Sequence, residues 1–113
     1  MPSRSASIDV TKRLALPLLL GLLAFLLYLT TVAPNLSWEH HGADGGDLVT
    51  AAYNLGIPHP PGYPLYVLLG HAFSRLPWGT PAFRLNLMSA IFAAATVTLL
   101  ALWVRGHLRH RYD

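Results

Sequence analysis

Two long runs without a charge constrain this chain more than anything else in it. The first covers residues 14–32, 19 positions, and the second covers residues 85–104, 20 positions. Asn86, Ser89, Thr96 and Thr98 are the polar interruptions of the second. A helix rises about 1.5 Å per residue, so either run matches the roughly 30 Å hydrocarbon core of a bilayer. They also explain why only 12% of the residues are charged, where soluble domains carry about 25%. The expected fold is an all-α membrane protein: two transmembrane helices, 14–32 and 85–104, joined by a loop over 33–84. A cleaved leader is the alternative for the first run. It is longer than the apolar stretch of a signal peptide, and its small-residue pattern Thr31-Val32-Ala33 runs into Pro34, so an uncleaved anchor is the better reading. Pro17 is expected in the opening turn of that span, where a missing N–H costs little.

Residues 1–13 are Ser-rich with no periodicity and read as a disordered cytoplasmic N-terminus. Residues 105–113 read as a basic cytoplasmic tail. Arg4, Lys12 and Arg13 precede the first run and Arg105, Arg109 and Arg111 follow the second, against Arg75 and Arg84 between them. This asymmetry puts both termini in the cytoplasm and the loop outside. The basic balance belongs to these ends, and no stacking motif or basic groove accompanies it, so nucleic acid is not an expected partner. The chain has no cysteine, which excludes disulfides and thiolate metal sites.

The loop has a pattern of its own. Asp44 stands where an N-cap would, with Asp47 three residues on in capping-box spacing. Leu48, Ala51, Ala52 and Leu55 then share a helical face, and Gly56 is the expected stop. Four prolines follow within residues 58–64: Pro58, Pro60, Pro61 and Pro64. Each ring fixes φ and biases its predecessor to an extended shape, which predicts a stiff, extended strut over 57–64. After it, Leu65, Leu68, Leu69, Ala72, Phe73 and Leu76 recur at helical spacing, with Tyr66, His71, Ser74 and Arg75 on the other face. That is an amphipathic helix expected to lie along the membrane surface.

The acid pair admits two readings. It can cap a helix, or one carboxylate can act as a general base with the other supporting it. His40, His41, Asp44 and Asp47 match no recognised zinc spacing, so no metal and no other cofactor is assigned. His59, between prolines, suits a ligand, a proton carrier or a spacer. His71 reads as a solvated side chain. Arg84, bordering the second run, can snorkel or hold a phosphate at the interface.

Three strings carry a resemblance. Asp44-Gly-Gly-Asp-Leu, Leu55-Gly-Ile-Pro-His-Pro-Pro-Gly-Tyr-Pro-Leu-Tyr66 and Arg84-Leu-Asn-Leu-Met-Ser-Ala90 resemble a bacterial membrane family of unassigned function that is similar to the transmembrane protein O-mannosyltransferases of the GT-C glycosyltransferase superfamily. The resemblance implies a sugar transferred from a polyprenyl-phosphate donor to a hydroxyl acceptor. It implies Asp44 as the catalytic carboxylate with Asp47 beside it, where relatives usually carry Glu. It implies His59, Tyr63, Tyr66, Arg84 and Asn86 as substrate-binding residues, and a bacterial inner membrane with the loop in the periplasm. Members have many more spans than two, so the chain is expected to be the amino-terminal portion of such an enzyme, inactive alone and partnered by further membrane helices. The competing reading is a small two-span membrane protein that binds a partner or lipid through its outward amphipathic loop. The charge asymmetry is directly testable: a topology reporter fused after Arg111 should score as cytoplasmic, and an external score would reverse the assignment.

Overall fold

The computed structural model describes residues 4–37 and 44–112. Among them the chain is helical, in the order α1 (Arg4–Thr31), α2 (Gly45–Asn54), α3 (Pro64–Ser74) and α4 (Pro81–Tyr112). It divides into two compact units. One combines residues 1–30 with 91–113; the other is continuous over 31–90.

The first unit holds nearly all of α1 and the larger part of α4. Arg13–Thr31 and Pro81–Leu108 are long and apolar enough to cross a bilayer. Only 11% and 17% of an 18-residue apolar stretch in each is buried within the protein, whereas a soluble core helix would be mostly covered. This is an integral membrane protein. Its helices run past the uncharged segments that mark them: α1 begins at Arg4 and α4 continues to Tyr112. Residues 4–13 are therefore helical where an irregular terminus was expected. They contain no glycine or proline, so nothing interrupts a helix that the apolar span continues. Pro17 consequently lies inside α1, not in its first turn, and it is almost fully buried.

Close packing in this unit occurs at Gly21. A β-carbon there would fall 1.8 Å from Thr98 Oγ1 and 3.2 Å from the Ala94 carbonyl, so only a hydrogen lets the two helices approach this far. The hydroxyls in α4 are satisfied locally. Thr96 donates to the Phe92 carbonyl at 2.8 Å and Thr98 to that of Ala94 at 3.1 Å. Such back-bonding lets a polar side chain sit in a span without an unmet donor.

The second unit is built on small residues. Ala51 and Ala52 of α2, Val67, Gly70 and Ser74 of α3, and Ala82, Leu85 and Met88 of α4 form its buried interior. A β-carbon on Gly70 would lie 2.9 Å from Ala52 Cβ and 3.4 Å from Leu85 Cδ2, which makes this glycine the point of closest approach. His71 Nδ1 lies 2.9 Å from the Ala52 carbonyl, so this side chain ties α3 to α2 where a solvated role was expected. The face of α3 turned inward is thus Val67, Gly70 and Ser74. Leu65 and Leu68, from the apolar stripe of the sequence, are 70% and 62% exposed. Small side chains win the interior because they let backbones approach, and the leucines are left facing outward.

Two helix ends and the proline segment depart from expectation. Leu55, not Gly56, adopts the left-handed conformation that closes α2, with φ 54°, and Gly56 N–H donates to the Ala51 carbonyl at 2.8 Å. Leu55 is thereby past the helix and exposed. The proline segment bends instead of running straight. Gly62 N–H donates to the His59 carbonyl at 3.0 Å, the Pro60–Pro61 peptide is cis, and Gly62 and Tyr63 both take positive φ. Ring-fixed φ values stiffen the chain, but the bond from Gly62 N–H to the His59 carbonyl closes a turn within four residues. α4 starts on Thr80, whose Oγ1 accepts from Phe83 N–H at 3.1 Å ahead of Pro81 at the first helical position.

Gly70→Leu should destabilise this unit by about 1–3 kcal/mol, the typical cost of overpacking an interior. Gly46→Ala, where a β-carbon meets nothing within 4 Å, should be neutral or stabilising. Denaturant unfolding of both variants in mild detergent, followed by circular dichroism, separates the two sites.

Candidate functional site

The turn at 59–62 carries His59 back to the first turn of α2. Asp47 Oδ2 accepts His59 N–H at 3.0 Å and stands 2.7 Å from His59 Nδ1. His59 Nε2 lies 3.6 Å from Asp44 Oδ2. One imidazole therefore sits between the two acids, and Tyr63 meets it edge-on with ring centroids 5.4 Å apart. Tyr63 owes this position to its left-handed backbone, φ 41°, immediately before Pro64 opens α3.

The capping reading of the acids fares differently at each. Asp44 occupies the N-cap position of α2, and its carbonyl accepts Leu48 N–H at 2.9 Å, but its side chain makes no capping bond. Asp47 gives its carboxylate to His59 rather than to a reciprocal cap. It lies in the first turn of α2, where the helix dipole favours a negative charge.

These bonds set the ionisation. The His59 backbone N–H, then its ring, holds the Asp47 carboxyl below its ordinary value of 3.8. The bond to Asp47 raises the His59 imidazole above its ordinary 6.5, against partial desolvation and with help from the Asp44 charge. Tyr66 is half-buried on α3. Desolvation pushes its phenol above the ordinary value of 10.0, and a hydrogen bond with Ser89 offsets part of that.

Arg84 and Asn86 are engaged elsewhere in the unit. The Arg84 guanidinium donates to the carbonyls of Trp78 at 2.7 Å, Gly79 at 2.9 Å and Ser74. It thereby caps the end of α3 and braces the turn into α4. Asn86 Nδ2 donates to the Ala33 carbonyl at 3.0 Å, holding the chain that leaves α1. His40 and His41 lie outside the described residues. Among those described, no group of three or more His, Asp or Glu side chains is placed to hold a metal ion.

Proximity of Asp44, Asp47 and His59 is what the turn creates. The acids are visible as a pair in the sequence, but the link over 12 positions to His59 is not. Pro-Pro-Gly after the histidine, here read as part of a straight strut, is the turn-forming string that could have signalled it. The roles of Thr80, His71 and Ser89 carried no comparable signal.

The ion pair has a defined pH window. The His59 contribution is fully present below the ordinary imidazole value of 6.5 and is lost as pH rises through the raised folded value. The Asp47 contribution is present above 3.8 and is lost as pH falls through the lowered folded value. An NMR titration should place the His59 midpoint above 6.5 in the native protein and lower in Asp47→Asn. Equal midpoints would remove the pairing.

The comparisons bear on the same stretch. A family model described as Protein O-mannosyl-transferase TMEM260 N-terminal domain matches residues 44–112. Protein O-mannosyl-transferase TMEM260 of Mus musculus is 47% identical over 60 residues, 52% of this chain and 8% of that protein. Protein O-mannosyl-transferase tmem260 of Dictyostelium discoideum is 34% identical over 89 residues, 73% of this chain and 10% of that protein. The chain thus spans about a tenth of the length of these curated relatives, and no solved structure matches it. With its match starting on Asp44 and running through α2, the turn, α3 and all of α4, the chain belongs to the TMEM260 protein O-mannosyl-transferase N-terminal domain family.

Proposed function

We propose that this chain supplies the acidic loop of a membrane O-mannosyltransferase of the GT-C kind, which moves a sugar from a polyprenyl-phosphate donor to a hydroxyl acceptor. The observation that carries the reading is the folding of Asp44, Asp47 and His59 onto one another within the matched region. Helix capping is the competing explanation for Asp44, and the lack of a capping bond from its side chain weakens it.

The chemistry asks for a base. As the acceptor oxygen bonds to the anomeric carbon, its proton passes to a carboxylate. The bond from that carbon to the donor phosphate breaks, and its electron pair leaves on the phosphate. Asp44 is exposed at the start of α2, accessible to an incoming hydroxyl. A carboxylate within about 2.6–3.2 Å of that hydroxyl suits the role. Tyr63 and Tyr66 offer hydroxyl-bearing rings for sugar contacts. Arg84 is held by three carbonyls, and a guanidinium has five N–H donors, so donors remain to address a phosphate. Asn86 secures the segment behind it.

The bilayer is the medium of this reaction. The exposed leucine face of α3, with Leu65 and Leu68, lies at the membrane surface in this reading, on the outward side with both termini cytoplasmic. Donor recognition and turnover draw on the further membrane helices of a complete transferase, and residues 44–112 contribute the base.

The test is Asp44→Asn in a complete O-mannosyltransferase carrying this domain. Asparagine caps a helix about as well as aspartate. Loss of transfer by about 10²–10⁴-fold with unchanged stability is expected for a general base. Retained transfer would end the catalytic role.

A further inference from the structure

We infer that Asp47, His59 and Asp44 form one proton-transfer unit, in which Asp47 fixes the His59 ring so that its Nε2 lone pair faces Asp44 and takes up the proton that Asp44 removes from the acceptor. This rests on the reading of Asp44 as the base and gives the proton its next destination. His59 and Asp47 are positioning residues here, acting through Asp44.

The geometry determines which ring nitrogen carries hydrogen. An ionised carboxylate has no proton to give, so the 2.7 Å approach of Asp47 Oδ2 requires the hydrogen on His59 Nδ1. The same oxygen accepts the His59 backbone N–H, so residue 59 is held at two points and the imidazole has a fixed direction. Tyr63 flanks the ring. Among the described residues, the groups facing His59 are Asp44 at the N-cap of α2, Asp47 in its first turn and Tyr63 from its own turn. In the neutral ring Nε2 is then an acceptor, 3.6 Å from another acceptor, Asp44 Oδ2. Two acceptors this close repel, and a proton taken up by the ring turns that repulsion into attraction. The pair is arranged to gain one proton.

Such a gain is what the transfer step delivers. The acceptor oxygen bonds to the anomeric carbon, the phosphate leaves with the electron pair, and Asp44 receives the acceptor proton. It passes to His59 Nε2, giving an imidazolium whose Nδ1–H is already paired with Asp47. The His59 side chain is 37% exposed, so water can then remove the proton and reset the unit. The reactive form has Asp44 ionised and His59 neutral. Protonated His59 beside Asp44 makes that carboxylate a weaker base, so the rate should rise as pH rises through the His59 titration.

The tautomer is measured on this chain in lipid nanodiscs with ¹⁵N-labelled histidine. Long-range ¹H–¹⁵N correlations should show neutral His59 with hydrogen on Nδ1, and Asp47→Ala should move it to Nε2, the form favoured by free imidazole side chains. Hydrogen on Nε2 in the native chain would overturn the unit. The kinetic arm uses His59→Asn in a complete transferase carrying this domain. Its amide nitrogen takes the place of Nδ1 and its backbone N–H is unchanged, so both bonds to Asp47 persist while Nε2 is lost. We expect retained stability, a fall in kcat of about 10–100-fold, as for residues that orient metal ligands, and loss of the rise through the His59 titration. If Asp44→Asn is inactive while His59→Asn keeps the native rate and pH profile, the unit is overturned and the role of Asp44 stands. If Asp44→Asn retains transfer, both fall together.

Discussion

Asp47 Oδ2 receives two N–H groups from one residue twelve positions further on, and the unit over residues 31–90 is arranged around that junction. The backbone bond fixes where the proline turn returns to α2. The ring bond fixes how the imidazole points. Remove the carboxylate and both N–H groups of residue 59 lose their acceptor, leaving the ring only its 3.6 Å approach to Asp44. The carboxylate itself is favoured there by the dipole of α2, so local helix physics and the long-range contact reinforce each other.

Polar residues around the start of α4 show a second constraint. Backbone carbonyls near a helix end need donors, and beside a bilayer water is a poor substitute. Arg84 serves three of them, Asn86 reaches the segment after α1, and Thr80 donates to the Pro34 carbonyl at 3.1 Å while capping α4. Read from the chain, the arginine and asparagine look like ligand-binding groups. In the fold they also stitch residues 33–35 and 74–80 to the first turns of α4, which keeps the loop defined around a small interior.

That interior is small because of what lines it. Ala51, Ala52 and Gly70 let α2 and α3 come together at backbone distance, and Leu85 and Met88 fill the remaining space. Larger apolar side chains on α3 have no room inward and remain exposed. A face that is apolar in sequence is therefore not the buried face, an inversion that suits a unit with lipid nearby.

Period and composition sufficed for the two long helices, the existence of α3 and the acid pair opening α2, because each depends on residues close along the chain. Bilayer thickness dictates the length of an apolar run, and a 3.6-residue period dictates which side chains share a face. Tertiary structure alone decided the bend of the proline segment, the inward turn of Val67, Gly70 and Ser74, and the capture of His59 by Asp47. A ring-fixed φ is compatible with a straight strut or a reversal, and the reversal is closed by the Gly62 N–H on the His59 carbonyl, a contact that ring-fixed φ alone leaves open. Likewise, His59 stands twelve positions from its carboxylate, and such a contact follows from where the turn sends the chain, not from any spacing that can be read along it.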